Sequence, residues 1–96
     1  MITENDLVAR GFNKIVWNRT IAEYWLPLLV ATGDTIADMN CRLCVRFGEF
    51  KGDSEPRVYL IIGSILYLAH ISQIGQLLQL YELLTGNPKE LGDAVE

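Results

Sequence analysis

Ninety-six residues, half of them hydrophobic and about a fifth charged, make a chain sized for one core and one domain, well away from the polar, highly charged range of disordered segments. Twelve Asp and Glu against eight Lys and Arg give a net charge of −4, a field that does not attract phosphate backbones and disfavours nucleic acid as a partner. The opening Met1-Ile2-Thr3-Glu4-Asn5-Asp6 has neither the basic nor the apolar region of a secretory signal, so a cytoplasmic location is expected, with Cys41 and Cys44 as reduced thiols.

A short helix is predicted over residues 4 to 10. Thr3 and Asp6 have capping-box spacing, Ile2 and Leu7 stand at the positions of a hydrophobic staple, and Gly11 supplies the stop. Leu7 and Val8 are expected to face inward. From Phe12 to Ala31 the residues favour strand without clean alternation. Thr20 and Glu23 support a rival helix over 21 to 31, but Pro27 would cost that helix ~3 kcal/mol. A strand with Pro27 at an edge or bulge is preferred.

Gly33-Asp34 marks a turn. Met39, Cys41, Leu43, Val45 and Phe47 then alternate with Asn40, Arg42, Cys44 and Arg46, the pattern of a strand with one face on the core and the other mostly wet. Arg42, Arg46 and Arg57 are the only candidates for a local basic patch, and charges on strands more often make a solvated face. Gly48, Gly52, Asp53, Ser54 and Pro56 form a loop. The stretch from Val58 to Ile71 is too short for the ~20 residues of a spanning helix and is divided by Gly63-Ser64, so no membrane segment is expected. Val58 to Ala69 reads instead as a hairpin with glycine first in a type II′ turn, pairing Ile62 with Ile65, Leu60 with Tyr67 and Val58 with Ala69. Tyr59, Ile61, Leu66 and Leu68 make its other face equally apolar. Either the Trp17 to Val30 segment or another subunit should cover that second face. Ser72 is placed to cap a closing amphipathic helix with Ile74, Leu77, Leu78, Tyr81 and Leu84 inward and Gly86 as its stop. Leu80 and Leu83 widen its apolar stripe. Residues 89 to 96 read as an acidic tail beyond a domain spanning 1 to 88.

The motifs with residue types suited to chemistry fail on geometry. Cys41-Arg42-Leu43-Cys44 matches C-x-x-C, but in a strand this spacing sends the two thiols to opposite faces. Cys41 is then expected in the core, with Cys44 incidental. His70 stands opposite Arg57 rather than an orienting acid, which argues against a general base. Asp34, Asp38 and Asn40 lack the spacing of an EF-hand and read as turn formers. Trp17, Tyr24 and Trp25 are the candidate binding residues, either core or the wall of a small-ligand pocket. No catalytic residue, metal site or cofactor is assigned.

The chain ends carry a resemblance. Ile2-Thr3-Glu4-Asn5-Asp6-Leu7 with Gly11-Phe12, and His70-Ile71, Gln76-Leu77-Leu78, Leu80-Tyr81 and Leu84-Thr85-Gly86 with Glu90-Leu91, resemble a group of small uncharacterised proteins encoded in Bacteroides-type gut bacterial genomes, many associated with prophages and mobile elements. The resemblance implies a helix, an antiparallel meander and a closing helix, and it brings no activity or cofactor. The fold expected from both lines is α+β, with about four strands. The function expected is that of a non-enzymatic protein-interaction or structural module, self-associating or bound to a protein partner, with a small-ligand-binding domain as the alternative.

Overall fold

The computed structural model describes residues 1–29, 33–49 and 55–86. The tail expected over 89 to 96 and the loop residues Gly52 to Ser54 lie outside the described residues. Among the described residues five strands form one antiparallel sheet in chain order: β1 (Asn13–Val16), β2 (Ala22–Pro27), β3 (Cys41–Phe47), β4 (Arg57–Ile62) and β5 (Ile65–Ala69). Among the described residues three helices accompany it: α1 (Glu4–Ala9), α2 (Thr35–Met39) and α3 (Ile74–Thr85). The chain is therefore an α+β fold with one strand more than the sequence suggests.

The capping box of α1 is present. Thr3 Oγ1 accepts from the Asp6 N–H and the Asp6 carboxylate from the Thr3 N–H, both at 3.2 Å. Ile2 and Leu7 are buried together against the sheet, and Gly11 adopts φ 81°. Val8, expected inward, is exposed instead, because one residue turns the side chain 100° round a helix that touches the sheet along one narrow stripe.

The segment read as one strand is a hairpin. Asn18 Oδ1 accepts from the Thr20 N–H (2.8 Å), the Thr20 hydroxyl (2.9 Å) and the Ile21 N–H (3.1 Å), and this turn separates β1 from β2. Thr20 is thereby committed to the turn, and the rival helix does not form over the described part of its span. Pro27 closes β2. The Leu28 N–H reaches the Cys41 carbonyl, so the missing N–H of Pro27 points to the other side, beyond the first residue of β1. Proline therefore interrupts no ladder.

A further departure is α2, a single turn capped by Asp34, whose carboxylate accepts from the N–H groups of Ile36 (3.0 Å) and Ala37 (3.5 Å). It absorbs Met39, so the strand begins at Cys41. The hairpin of β4 and β5 has the expected register throughout, and Gly63 takes φ 60°, the positive value that the first position of its turn demands. At α3 the cap is Gln73 rather than Ser72. The Gln76 side-chain oxygen accepts from both N–H groups at 3.3 Å, and Gly86 ends the helix at φ 76°.

The two faces of the sheet bury different things. Against α1 and α3 lie Tyr24, Leu26, Leu43, Val45 and Val58, packed with Ile2, Leu7, Phe12 and Leu77. The opposite face holds a smaller cluster of Trp25, Cys44, Tyr59 and Ile61 beside Met39 of α2. Among the described residues no helix is long and apolar enough to cross a membrane.

Candidate functional site

The second face of the sheet carries a charged cluster that the strand pattern disguised. Glu23 projects from β2 beside Arg46, its register partner on β3, and Arg42 lies four residues back on the same face. The Glu23 side chain is fully buried. It accepts from Arg42 Nε at 2.7 Å, Arg46 Nε at 2.9 Å and Trp17 Nε1 at 2.9 Å. Arg42 also donates to the Met39 carbonyl at 2.8 Å, which ties α2 to the sheet. Arg46 continues to Glu49 at 2.8 Å and lies over the Tyr59 ring, whose hydroxyl donates to the same Glu49.

Burial alone would raise the Glu23 pKa, but hydrogen bonds from Arg42, Trp17 and Arg46 outweigh it and hold the carboxyl below its ordinary value. Burial would likewise lower Arg46, whereas Glu49 and Glu23 keep it above its usual value. Two carboxylates meet two guanidiniums, so the cluster is neutral as a whole. Its neighbour Cys44 is pushed up to about 12 by burial and by the Glu23 charge, so the thiolate needed for nucleophilic chemistry is strongly disfavoured.

The arginines predicted to be solvated are thus corrected: Arg42 is buried and Arg46 largely so, because each closes on a carboxylate inside an otherwise apolar layer. The cysteines are reversed as well. They do lie on opposite faces, but Cys44 is the fully buried one, packed among Trp25, Tyr59 and Ile61, and Cys41 is half-buried at the start of β3. In the sequence Glu23 stands out only as a helix-capping candidate, not as a buried charge. Its signal was a lone acid within Ala22-Glu23-Tyr24-Trp25-Leu26, where apolar neighbours on both sides mark a strand covered on both faces.

The three candidate aromatic residues do not share a pocket wall. Tyr24 is buried on the helical face, where its hydroxyl donates to Glu4 Oε2 at 2.7 Å and its ring meets Phe47 edge-on. Trp25, next in the chain, is buried on the opposite face and borders a cleft of about 460 Å³ with Asn13, Ile15 and Pro27. Trp17 is half exposed and borders a separate cleft of about 220 Å³ with Ile21, Arg42, Arg46 and Glu49. Gly48 seats the turn that carries Trp17, since any Cβ there would collide with the Thr20 carbonyl. His70 is exposed just beyond β5, and Asp34 is engaged as the α2 cap.

What is left open is the edge of the sheet at β5. Ile62, Ile65, Leu66, Tyr67 and Leu68 are each between 46% and 53% exposed, and they alternate between the two faces. The Gly63 N–H bonds the Asn40 carbonyl at 2.6 Å on the far side of β4, which by alternation turns the N–H groups of Ile62 and Leu60 toward β5. Their partners Ile65 and Tyr67 therefore bond inward. Leu66 and Leu68 direct their N–H and C=O groups outward, along an edge that no described strand covers. The other edge differs: β1 bears Lys14, whose ammonium stands 5.6 Å from the centre of the Tyr24 ring. No protein-family model, curated protein or solved structure matches the chain.

Proposed function

We propose that the chain is a non-enzymatic protein-interaction or structural module that takes up an extended polypeptide along β5. One observation carries the reading: an uncharged edge strand, half exposed on both faces, with two outward-facing peptide units. Edge strands are ordinarily blunted by charge, proline or a covering element because they template pairing. Between Ile65 and Ala69 there is no charge and no proline. Main-chain hydrogen bonds would supply part of the affinity, and alternate side chains on each face the rest. Descent from a phage or mobile element rests on the resemblance at the chain ends alone.

A photo-crosslinking phenylalanine analogue at Tyr67, in cells that express the protein, tests the reading against the same analogue at Val16 on the β1 edge. Covalent capture of a polypeptide at Tyr67 well above Val16 is the expected result. Equal or absent capture at both would sink it. The small-ligand alternative retains the Trp17 cleft, where an aromatic ring and two guanidiniums meet, but those guanidiniums already bond Glu23 and Glu49.

A further inference from the structure

Resting on that reading, we infer that the polypeptide is a second copy of this chain, its β5 paired antiparallel to the first about a two-fold axis at Tyr67. Two observations lead to this occupant, and the fit of the side chains supports it. The exposed side chains lie on both faces of β5, so a partner laid on either face would leave half of them wet. A strand added in the plane covers both. The outward peptide units are those of Leu66 and Leu68, which stand symmetrically about Tyr67. Two-fold pairing at that centre sets Leu66 against the second copy's Leu68 and Leu68 against its Leu66, and each pair exchanges both hydrogen bonds.

The side chains agree with that register. Ile65 faces the second copy's Ala69, large against small, and the two Tyr67 rings meet on the helical face while the leucines meet on the other. β5 brings no charge to the contact, so like meets like without local repulsion. Every residue of the strand is paired in this register, and a shift of two residues in either direction loses two of the five.

Size sets the strength. With roughly 200 Å² of accessible surface on each large apolar residue, the four half-exposed side chains of β5 offer on the order of 400 Å² per copy. Two copies then bury less than the about 1,200 Å² at which stable interfaces begin, which is the range of reversible association. A ten-stranded sheet in exchange with its five-stranded halves is the expected state. Pairing of β5 with β1 of another copy would instead be open-ended and build polymers.

Light scattering after gel filtration, run on the full chain from micromolar to millimolar concentration, should show the mass rising toward twice the monomer. A constant monomer mass overturns the inference, and so does growth beyond the dimer. Register is read by crosslinking. In a Cys41→Ser background, with Cys44 buried and unreactive, Tyr67→Cys should form a disulfide-linked dimer about tenfold faster than Leu66→Cys or Leu68→Cys, since facing Cα atoms at a non-hydrogen-bonded pair lie about 4.5 Å apart, within disulfide reach. Faster crosslinking at 66 or 68 overturns the two-fold at Tyr67. Leu66→Lys, half exposed and so tolerated by the fold, should keep the circular dichroism spectrum and weaken association by about tenfold; undiminished association counts against the β5 contact. A strict monomer that still captures a different polypeptide at Tyr67 in cells removes the second copy and leaves the proposed function standing.

Discussion

The two faces of one sheet are closed by different physics. On the helical side, α1 and α3 cover Leu43, Val45 and Val58 with apolar side chains, and the layer depends on volume. On the other side, cover comes from Met39, from Trp17 and from a carboxylate held by two guanidiniums, and the layer depends on charge being matched. A sheet face that receives only the single turn of α2 among the described residues can still be buried. The difference is in how each face fails. A shortened core side chain leaves a cavity, whereas a removed counter-charge leaves an ion stranded out of water.

Four experiments bear on that contrast, beginning with the largest effect. Glu23→Gln keeps the shape but removes the charge that Arg42 and Arg46 share, and should cost about 4 kcal/mol in urea unfolding. A loss under about 1 kcal/mol would mean that the cluster is solvated and the two faces are not different in kind. Leu43→Ala on the helical face should cost about 3 kcal/mol through its cavity, with no dependence on pH. The wild-type protein should show such a dependence. The Glu23 pKa is depressed in the folded state, so its contribution is complete above the ordinary carboxyl value of 4.5 and declines as pH falls through the lower folded value. Comparing wild type with Glu23→Gln between pH 7 and the acid limb isolates this term, and identical acid profiles would contradict it. Trp17→Phe, which deletes the indole donor to a carboxylate that keeps its arginines, should cost about 1 kcal/mol, and fluorescence-detected melting would register it.

Local chemistry was the readable part of this fold. The Thr3 and Asp6 cap, the glycine stops and the Gly63-Ser64 hairpin each fix a conformation within a few residues, so the sequence pattern foretold them, down to the register of β4 with β5. The hidden parts depend on tertiary cover. β2 is buried on both faces, which erased the alternation that would have marked its ends, and its turn rests on a single asparagine. A five-residue helix carries too little periodicity to be seen in a sequence, and α2 followed from Asp34 alone. Alternating arginines on β3 looked wet because their common partner, Glu23, is 19 and 23 residues away along the chain.

The placement of the two cysteines gives the protein a clock. Cys41 is half-buried and should react with a thiol reagent quickly, while Cys44 lies sealed at the junction of the aromatic cluster and the ion pairs. Its modification has to wait for that layer to part. The slow phase of labelling in the native state therefore times the opening of the second face, as amide exchange times the opening of a hydrogen bond. Each opening of β3 that the reagent captures is written into the chain as a covalent mark, with no residue substituted.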